Sequence, residues 1–350
     1  RSGRYPPRFT KSAGSTGAAC SRDFSYSCST NPWEGDFLKF ARLLLAGLAA
    51  CAWLSLAAFA ADAPAGKKWV VAFAQDTMAN DWRAAQVRDL QTAFAAHPEV
   101  EFIFTDANGD TARQVQDIEK LAALGVDVLI TSPRDAELMR EPIARVHRKG
   151  IPVILLSRRV NGDEFTQFIA ADNKAIGRAA ARYLANELKG KGRILMLQGV
   201  PTASSAIDRT AGFNEALKQH PGLKVVAVKP ADYLRAQAIQ RIEEALAEKL
   251  QFDAIYSQSD SMALGAILAL KKSGRDTARI PITGIDYISE AREAIRSGAL
   301  NASFTYPTFG KEGAAAAMKL LRGGKPNKKE VLVESVAVTR KNVDKVAPIF

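Results

Sequence analysis

No cysteine follows Cys51 in this chain of 350 residues; the only three, Cys20, Cys28 and Cys51, sit near its start. Everything beyond them therefore lacks a disulfide framework, a thiolate zinc cluster and a thiol nucleophile. Histidine is nearly as scarce. His97, His147 and His220 each fall near the end of an expected helix, two of them directly before proline, and no H-x-x-x-H or H-x-x-E spacing joins them. Histidines in such places serve helix ends rather than metals or catalytic triads. G-x-S-x-G, a Walker loop and a G-x-G-x-x-G after the first strand are missing, which removes common hydrolase, nucleotidase and dinucleotide signatures. Asp106 and Asp286 could in principle serve as paired carboxylates of a glycosidase, but neither has an identifiable acid partner. We therefore expect no enzyme, no cofactor and no bound metal.

Long basic tracts are absent as well. Of the formal charge of +11, residues 1–61 supply seven Lys or Arg against three Asp or Glu, and nowhere do more than three Lys or Arg run together. This is the pattern of a mildly basic solvated surface, with no nucleic-acid partner. Apolar side chain, by contrast, is plentiful: 47% hydrophobic against 24% charged residues, enough for two buried cores at about 150 residues per domain.

From Leu43 to Ala61 runs LLLAGLAACAWLSLAAFAA, without a charge, preceded by Lys39 and Arg42 and ending on the small-residue site Ala58-Phe59-Ala60. A basic start, an apolar stretch and an A-x-A site predict a cleaved signal peptide over 38–61 and a periplasmic protein. Two other readings stand beside it. The run is just long enough for an uncleaved membrane anchor, and Leu48-Ala49-Ala50-Cys51 resembles a lipoprotein box, although the chain stays apolar after Cys51 where a polar tether is the rule. All three put the remainder outside the cytoplasmic membrane. Residues 1–37 show no hydrophobic period, and no Met precedes Met78, so translation is expected to begin near Phe37 or Leu38, with 1–37 an upstream extension of the reading frame.

From Lys67 onward, short β-rich runs alternate with amphipathic stretches. Strands are predicted at 69–75, 101–106, 126–132, 152–157, 193–199, 224–229, 252–258 and 280–286. Most are continuous apolar runs, as expected of strands covered on both faces in a parallel sheet. Between them apolar residues recur at helical spacing, as in Ile239, Ile242, Leu246 and Leu250. Strand and helix in alternation imply βαβ units of a doubly wound α/β fold. The polar turn at Val160–Asp163 and the short FIAADN run at 168–173 divide the units into two similar lobes; ASFTY at 302–306, a helix at 309–321 and one last strand near 331–338 follow.

In open α/β sheets, ligands bind beyond the carboxyl ends of the strands. Those positions hold Asn80, Asp81, Trp82 and Arg83; Asp106; Ser157, Arg158 and Arg159; Asp232 and Tyr233; Ser259 and Asp260; and Asp286 and Tyr287, with Arg209 in the helix after the fifth strand. Guanidiniums and carboxylates grip vicinal hydroxyls while flat aromatics cover the C–H face of a sugar ring. Structural duties compete with this reading. Asp106 opens D-A-N-G-D, a poor calcium loop, and is expected to cap a helix, as is Asp260. Trp82 suits the core, and one of Arg158 and Arg159 should face solvent. Asp286 has the least structural excuse, since it ends an apolar strand with no helix immediately to cap.

Together GVDVLITSPRDA, KGIPVILLSRR, IAADNKAIGRAAA, LQGVPTASSAIDRTAGF, PADYLRAQA, FDAIYSQSDSMALGAILAL and TGIDYI resemble the type I periplasmic substrate-binding proteins of sugar ABC transporters, close to the ribose-binding group, over about Trp69–Val343. The resemblance implies two lobes joined by three hinge crossings near Ala171, Tyr306 and Glu334: an N-terminal lobe of 62–171 plus 307–333 and a C-terminal lobe of 172–306 plus 334–350. It implies a monomer that closes on a sugar, monosaccharide or polyol, and a membrane-embedded permease as partner, or else a chemoreceptor or sensor kinase. By motif, the ligand contacts it implies are Asn80, Trp82, Arg158, Arg209, Tyr233 and Asp286. Ser157, Ser259 and Tyr306 stand where the ribose group usually has Asp, Asn and Gln, so ribose itself does not follow. Arg83 beside Trp82 is similar to furanose-type relatives, and the several arginines leave an acidic sugar open.

Overall fold

The computed structural model describes residues 68–350; the leader, the upstream segment and the three cysteines lie outside the described residues. Strands β1 (Trp69–Gln75), β2 (Val100–Asp106), β3 (Val128–Thr131), β4 (Val153–Leu156), β5 (Gln167–Ala171) and β11 (Glu330–Val333) form one sheet. Its order is β11-β5-β4-β3-β1-β2, with all neighbours parallel. A second sheet contains β6 (Lys191–Gln198), β7 (Gly222–Pro230), β8 (Ala254–Ser257), β9 (Ile282–Asp286), β10 (Ala302–Thr305) and β12 (Ala337–Thr339), in the order β12-β10-β9-β8-β6-β7. Only β12 runs antiparallel to its neighbour there. The central runs Val71–Ala74, Val128–Ile130 and Ile154–Leu156 are wholly inaccessible, because helices cover both faces, and each large side chain so buried contributes ~1.5–3 kcal/mol.

The helices are α1 (Asp81–Ala95), α2 (Thr111–Ala123), α3 (Arg140–Arg148), α4 (Asn173–Glu187), α5 (Ser204–Leu217), α6 (Arg235–Ala247), α7 (Asp260–Lys272), α8 (Ser289–Ser297) and α9 (Gly310–Leu321). The chain leaves the first sheet after β5, returns after β10 as α9, which packs on α1, and leaves again between β11 and β12. The single terminal strand expected near 331–338 is therefore two strands. Glu334–Val336 interrupt the apolar run, and its halves pair with different sheets: Val331 with Ile169, Val338 with Ser303. Helices α4 and α5 touch backbone to backbone. A Cβ on Gly177 would lie 2.3 Å from Arg209 O, and one on Gly212 would lie 2.1 Å from Lys174 O. Only glycine permits that approach, which fixes the helix carrying Arg209. Beneath it Phe213 stacks on Tyr256 with centroids 4.0 Å apart.

Candidate ligand-binding site

The carboxyl ends of the two sheets face one another across a cavity of about 420 Å³ of atom-free space, open solvent included. All ten residues singled out from the sequence, Asn80, Trp82, Arg83, Ser157, Arg158, Arg209, Tyr233, Ser259, Asp286 and Tyr306, line it.

Asn80 caps α1, its Oδ1 accepting from Arg83 N at 3.1 Å, which leaves its amide to donate to Tyr233 O of the opposite lobe at 2.6 Å. Trp82 starts the helix on its buried face; its Nε1 donates to Tyr306 O at 2.9 Å and its ring tilts against Tyr306 at 5.6 Å. Arg83 is buried too. Its Nη1 donates to Ser132 Oγ at 2.6 Å and Ser157 Oγ at 3.1 Å, and its Nε lies 3.4 Å from Asp76 Oδ1. Burial and the neighbouring Arg158 cation lower its pKa to about 10.

On the same lobe Arg158 donates through Nη1 to Asp76 Oδ2 at 2.7 Å, while its Nε is buried without a hydrogen-bond partner. As expected from their adjacency, Arg158 is buried and Arg159 turns outward, close to Asp208 of the other lobe. Burial alone would raise the Asp76 carboxyl, but Arg158, Arg83 and Arg134 outweigh it and hold the group below its ordinary value.

From the second lobe, Arg209 donates Nε to Asn173 Oδ1 at 2.9 Å and Nη1 to Gln258 O. Its guanidinium lies over the Tyr306 ring at 4.6 Å and nears that of Tyr233 at 5.8 Å. Tyr233 can sit there because residue 199 is glycine: a Cβ would lie 2.0 Å from its ring. The Tyr306 hydroxyl spans the crossing, donating to Ser157 O at 2.9 Å. Asp286 is 5% exposed. Burial and the nearby Asp260 charge push its pKa well up, against the pull of Arg209. Ser157, Asp232, Tyr233 and Asp286 all have positive φ, 63°, 51°, 66° and 122°, so backbone strain collects at the cavity, as it does at working sites.

Two capping expectations are corrected. Asp110, not Asp106, caps α2, accepting from Ala112 N and Arg113 N, whereas Asp106 accepts from Asn108 N in the preceding turn. Likewise Ser259 caps α7 through Met262 N, freeing Asp260 to accept from Tyr287 N at 2.6 Å, Ile288 N and Ser303 Oγ. Asp260 thus stitches β9 to β10 below the cavity, and Tyr287 turns into the core, donating to Val343 O. Asp81 and Arg159 lie at the rim. Three lining residues were not noted from sequence, Asp76, Thr77 and Ser205, while Asp232 was noted at its strand end but not among the ten contacts. The signal for Asp76 was present, since it follows an apolar strand just as Asp286 ends one.

The lobes meet in a closed arrangement: Ala136 N donates to Thr202 O at 3.0 Å, Arg159 N to Ser204 Oγ at 2.8 Å, Arg134 to Asp232 at 3.2 Å, and Ser261 Oγ to Asp81 at 3.3 Å. Two α/β lobes of this topology, shut over a polar and aromatic cavity at their strand ends, match the model of the periplasmic binding protein domain over residues 71–325. The chain belongs to this family.

Among periplasmic binding proteins it is similar to the xylitol-binding protein of Mycolicibacterium smegmatis, 30% identical over 253 residues, 72% of each chain. It is also similar to the ribose import binding protein of Haemophilus influenzae, 32% identical over 64% of this chain and 76% of that one. A solved fructose-binding periplasmic domain of a hybrid two-component system superposes with a TM-score of 0.75 at 31% identity, covering 79% of this chain and 92% of that domain.

Proposed function

We propose that this chain is a periplasmic solute-binding protein that captures a monosaccharide or related polyol between its lobes and hands it to the permease of an ABC transporter, without chemical change. The observation that carries the reading is a set of unfilled hydrogen-bonding groups around one cavity. Asp76 Oδ1 has no donor and Arg158 Nε has no acceptor, although both are buried. Burying such groups unmet costs ~1–3 kcal/mol each, a cost that a polyhydroxylated guest bridging the lobes offsets. Trp82, Tyr233 and Tyr306 supply flat apolar surface beside them. The xylitol-, ribose- and fructose-binding relatives are consistent with a guest of this size and polarity.

The ten residues named from the sequence are proposed as its contacts, and the three crossings between the sheets as the hinge on which the lobes part. Guest binding then shifts a population toward the closed form. The test is a thermal-shift screen of the protein produced from the full-length chain against pentoses, hexoses, furanosides, polyols and sugar acids, since a guest that binds only the folded state raises its melting temperature. A rise with one neutral sugar or polyol supports the reading; no rise with any member overturns it. A second reading, a sugar receptor signalling to a sensor kinase or chemoreceptor, is favoured by the likeness to the two-component fructose-binding domain. Deleting the gene separates them: loss of uptake of the identified sugar supports delivery, and intact uptake with a lost transcriptional or chemotactic response supports signalling.

A further inference from the structure

Tyr287 stands beside the cavity without entering it, and every polar group it has is engaged. Its backbone N–H donates to Asp260 Oδ2 at 2.6 Å and Ser303 Oγ at 3.0 Å, and its carbonyl accepts from Ile349 N at 2.9 Å. Its hydroxyl lies 3.0 Å from both Val343 O and Val346 O and donates to either. Next along the chain, Ser289 N donates to Phe350 O at 2.9 Å. Residues 343–350, which follow β12 beyond the third crossing between the sheets, thus fold back over the end of β9 and the start of α8. Tyr287 has no accessible surface beneath them.

This fastening meets a local need. Asp286 and Tyr287 are consecutive and both have positive φ, 122° and 61°, a conformation that large L residues hold only where the surroundings over-determine it. Of the two, Asp286 lines the cavity, so the twist of this turn sets the direction of its carboxylate. Asp260 and Ser303 fasten the turn to the sheet from one side, and the 343–350 stretch fastens it from the other. Loosening the second side alone lets the turn relax and its carboxylate swing without unpicking β9 from β10. Contact groups deliver their full strength only when held within ~0.5 Å of the productive geometry. We propose that Tyr287 and residues 343–350 form a clamp that positions Asp286 for the guest, so that part of the affinity for a sugar or polyol resides in a segment that touches no guest. This rests on the reading of the cavity as a sugar site with Asp286 among its contacts; Tyr287 is a positioning residue within it.

The test is calorimetric titration, with the sugar or polyol that most raises the melting temperature, of the wild type, of Tyr287→Phe and of a chain lacking residues 347–350. The first variant removes only the hydroxyl bond, and the second removes those of Ile349 and Phe350. Each should bind the guest about 5- to 30-fold more weakly, as expected on losing one or two hydrogen bonds, while remaining folded. Should the shortened chain fail to fold, Tyr287→Phe decides alone. Combination with Asp286→Asn separates positioning from general loosening. In that background Tyr287→Phe should cost less than about 2-fold, because groups that act through one another are not additive. If Asp286→Asn binds too weakly to titrate, the pH profile takes its place. A guest hydroxyl donating to Asp286 favours its ionised form, so wild-type affinity should rise with pH. The charged groups acting on that carboxyl, Asp260, Arg209 and Arg83, are untouched by Tyr287→Phe, and a flattened rise in this variant therefore reports a displaced carboxylate. Unchanged affinity in the folded variants, full additivity with Asp286→Asn, or in its stead an unaltered pH profile, overturns the clamp and leaves the solute-binding reading intact. A wild type that binds nothing in the screen removes both.

Discussion

Asp76 and Asp286 face the same cavity from opposite lobes, and their surroundings treat them in opposite ways. Asp76 lies among Arg158, Arg83 and Arg134, which hold its pKa down; Asp286 has burial and Asp260 against it, and Arg209, the Asp260 backbone and Arg83 do not outweigh them, so its pKa is pushed well up. The same contrast divides the walls. On the first lobe Arg83, Asp76, Ser132, Ser157 and Arg158 bond one another, leaving Asp76 Oδ1 and Arg158 Nε without partners. On the second, Arg209 is steadied by an amide and a carbonyl, both neutral. One wall is therefore held by ion pairs and the other by neutral partners, and the first leaves buried polar atoms for a guest to meet, an arrangement that makes closure depend on the guest.

The pairing is broken most severely by Asp76→Ala, which leaves two buried guanidiniums without their counter-charge and should lower unfolding stability in urea by about 3–5 kcal/mol. Asp286→Asn should do the reverse. Guest affinity falls by about 2–4 kcal/mol in calorimetry, while the melting temperature without guest stays level or rises.

The pH dependence of the two carboxyls has opposite signs as well. Asp76, lowered, contributes stability that is present above the ordinary carboxyl value of 3.8 and lost as pH falls through its folded value. Asp286, raised, contributes stability that is full below 3.8 and lost as pH rises through its folded value. Melting curves across pH should thus lose their alkaline-side slope in Asp286→Asn and keep their acid-side one. A guest that donates hydroxyls to Asp286 favours its ionised form, so affinity should rise with pH over the same window. The smallest effect is expected at the rim, where Arg235 meets Asp81 at 3.5 Å and Glu290 at 2.8 Å, all partly exposed. Arg235→Ala should change affinity by less than about 1 kcal/mol, and less still at high salt.

Much of the lobe architecture was legible because unbroken apolar runs such as VVAFA and VLIT leave a chain no alternative to burial on both faces. The outer strand β7 was legible as well, at 224–229, although alternate residues of this edge strand are exposed. The capping residues were misjudged for a local reason. In DANGD and in QSDS, two neighbouring side chains can both serve as caps, and the choice falls to Asp110 and Ser259 because Asp106 and Asp260 are engaged elsewhere. The ten expected cavity residues were found because strand ends are a topological place, readable once the strands are known. Asp76 was passed over because its partner, Arg158, is 82 positions away, and no local pattern tells a paired acid from a turn residue.

Sequence alone therefore determined what depends on neighbours along the chain: the alternation of strand and helix and the list of polar and aromatic groups at strand ends. Tertiary structure decided what depends on distance through space. It set which acid meets which arginine, which of two adjacent side chains caps a helix, and which sheet receives each half of the last apolar run. The physical reason is that burial is a property of a segment, whereas the charge state and duty of a buried polar group are set by whatever the fold brings within a few ångströms of it.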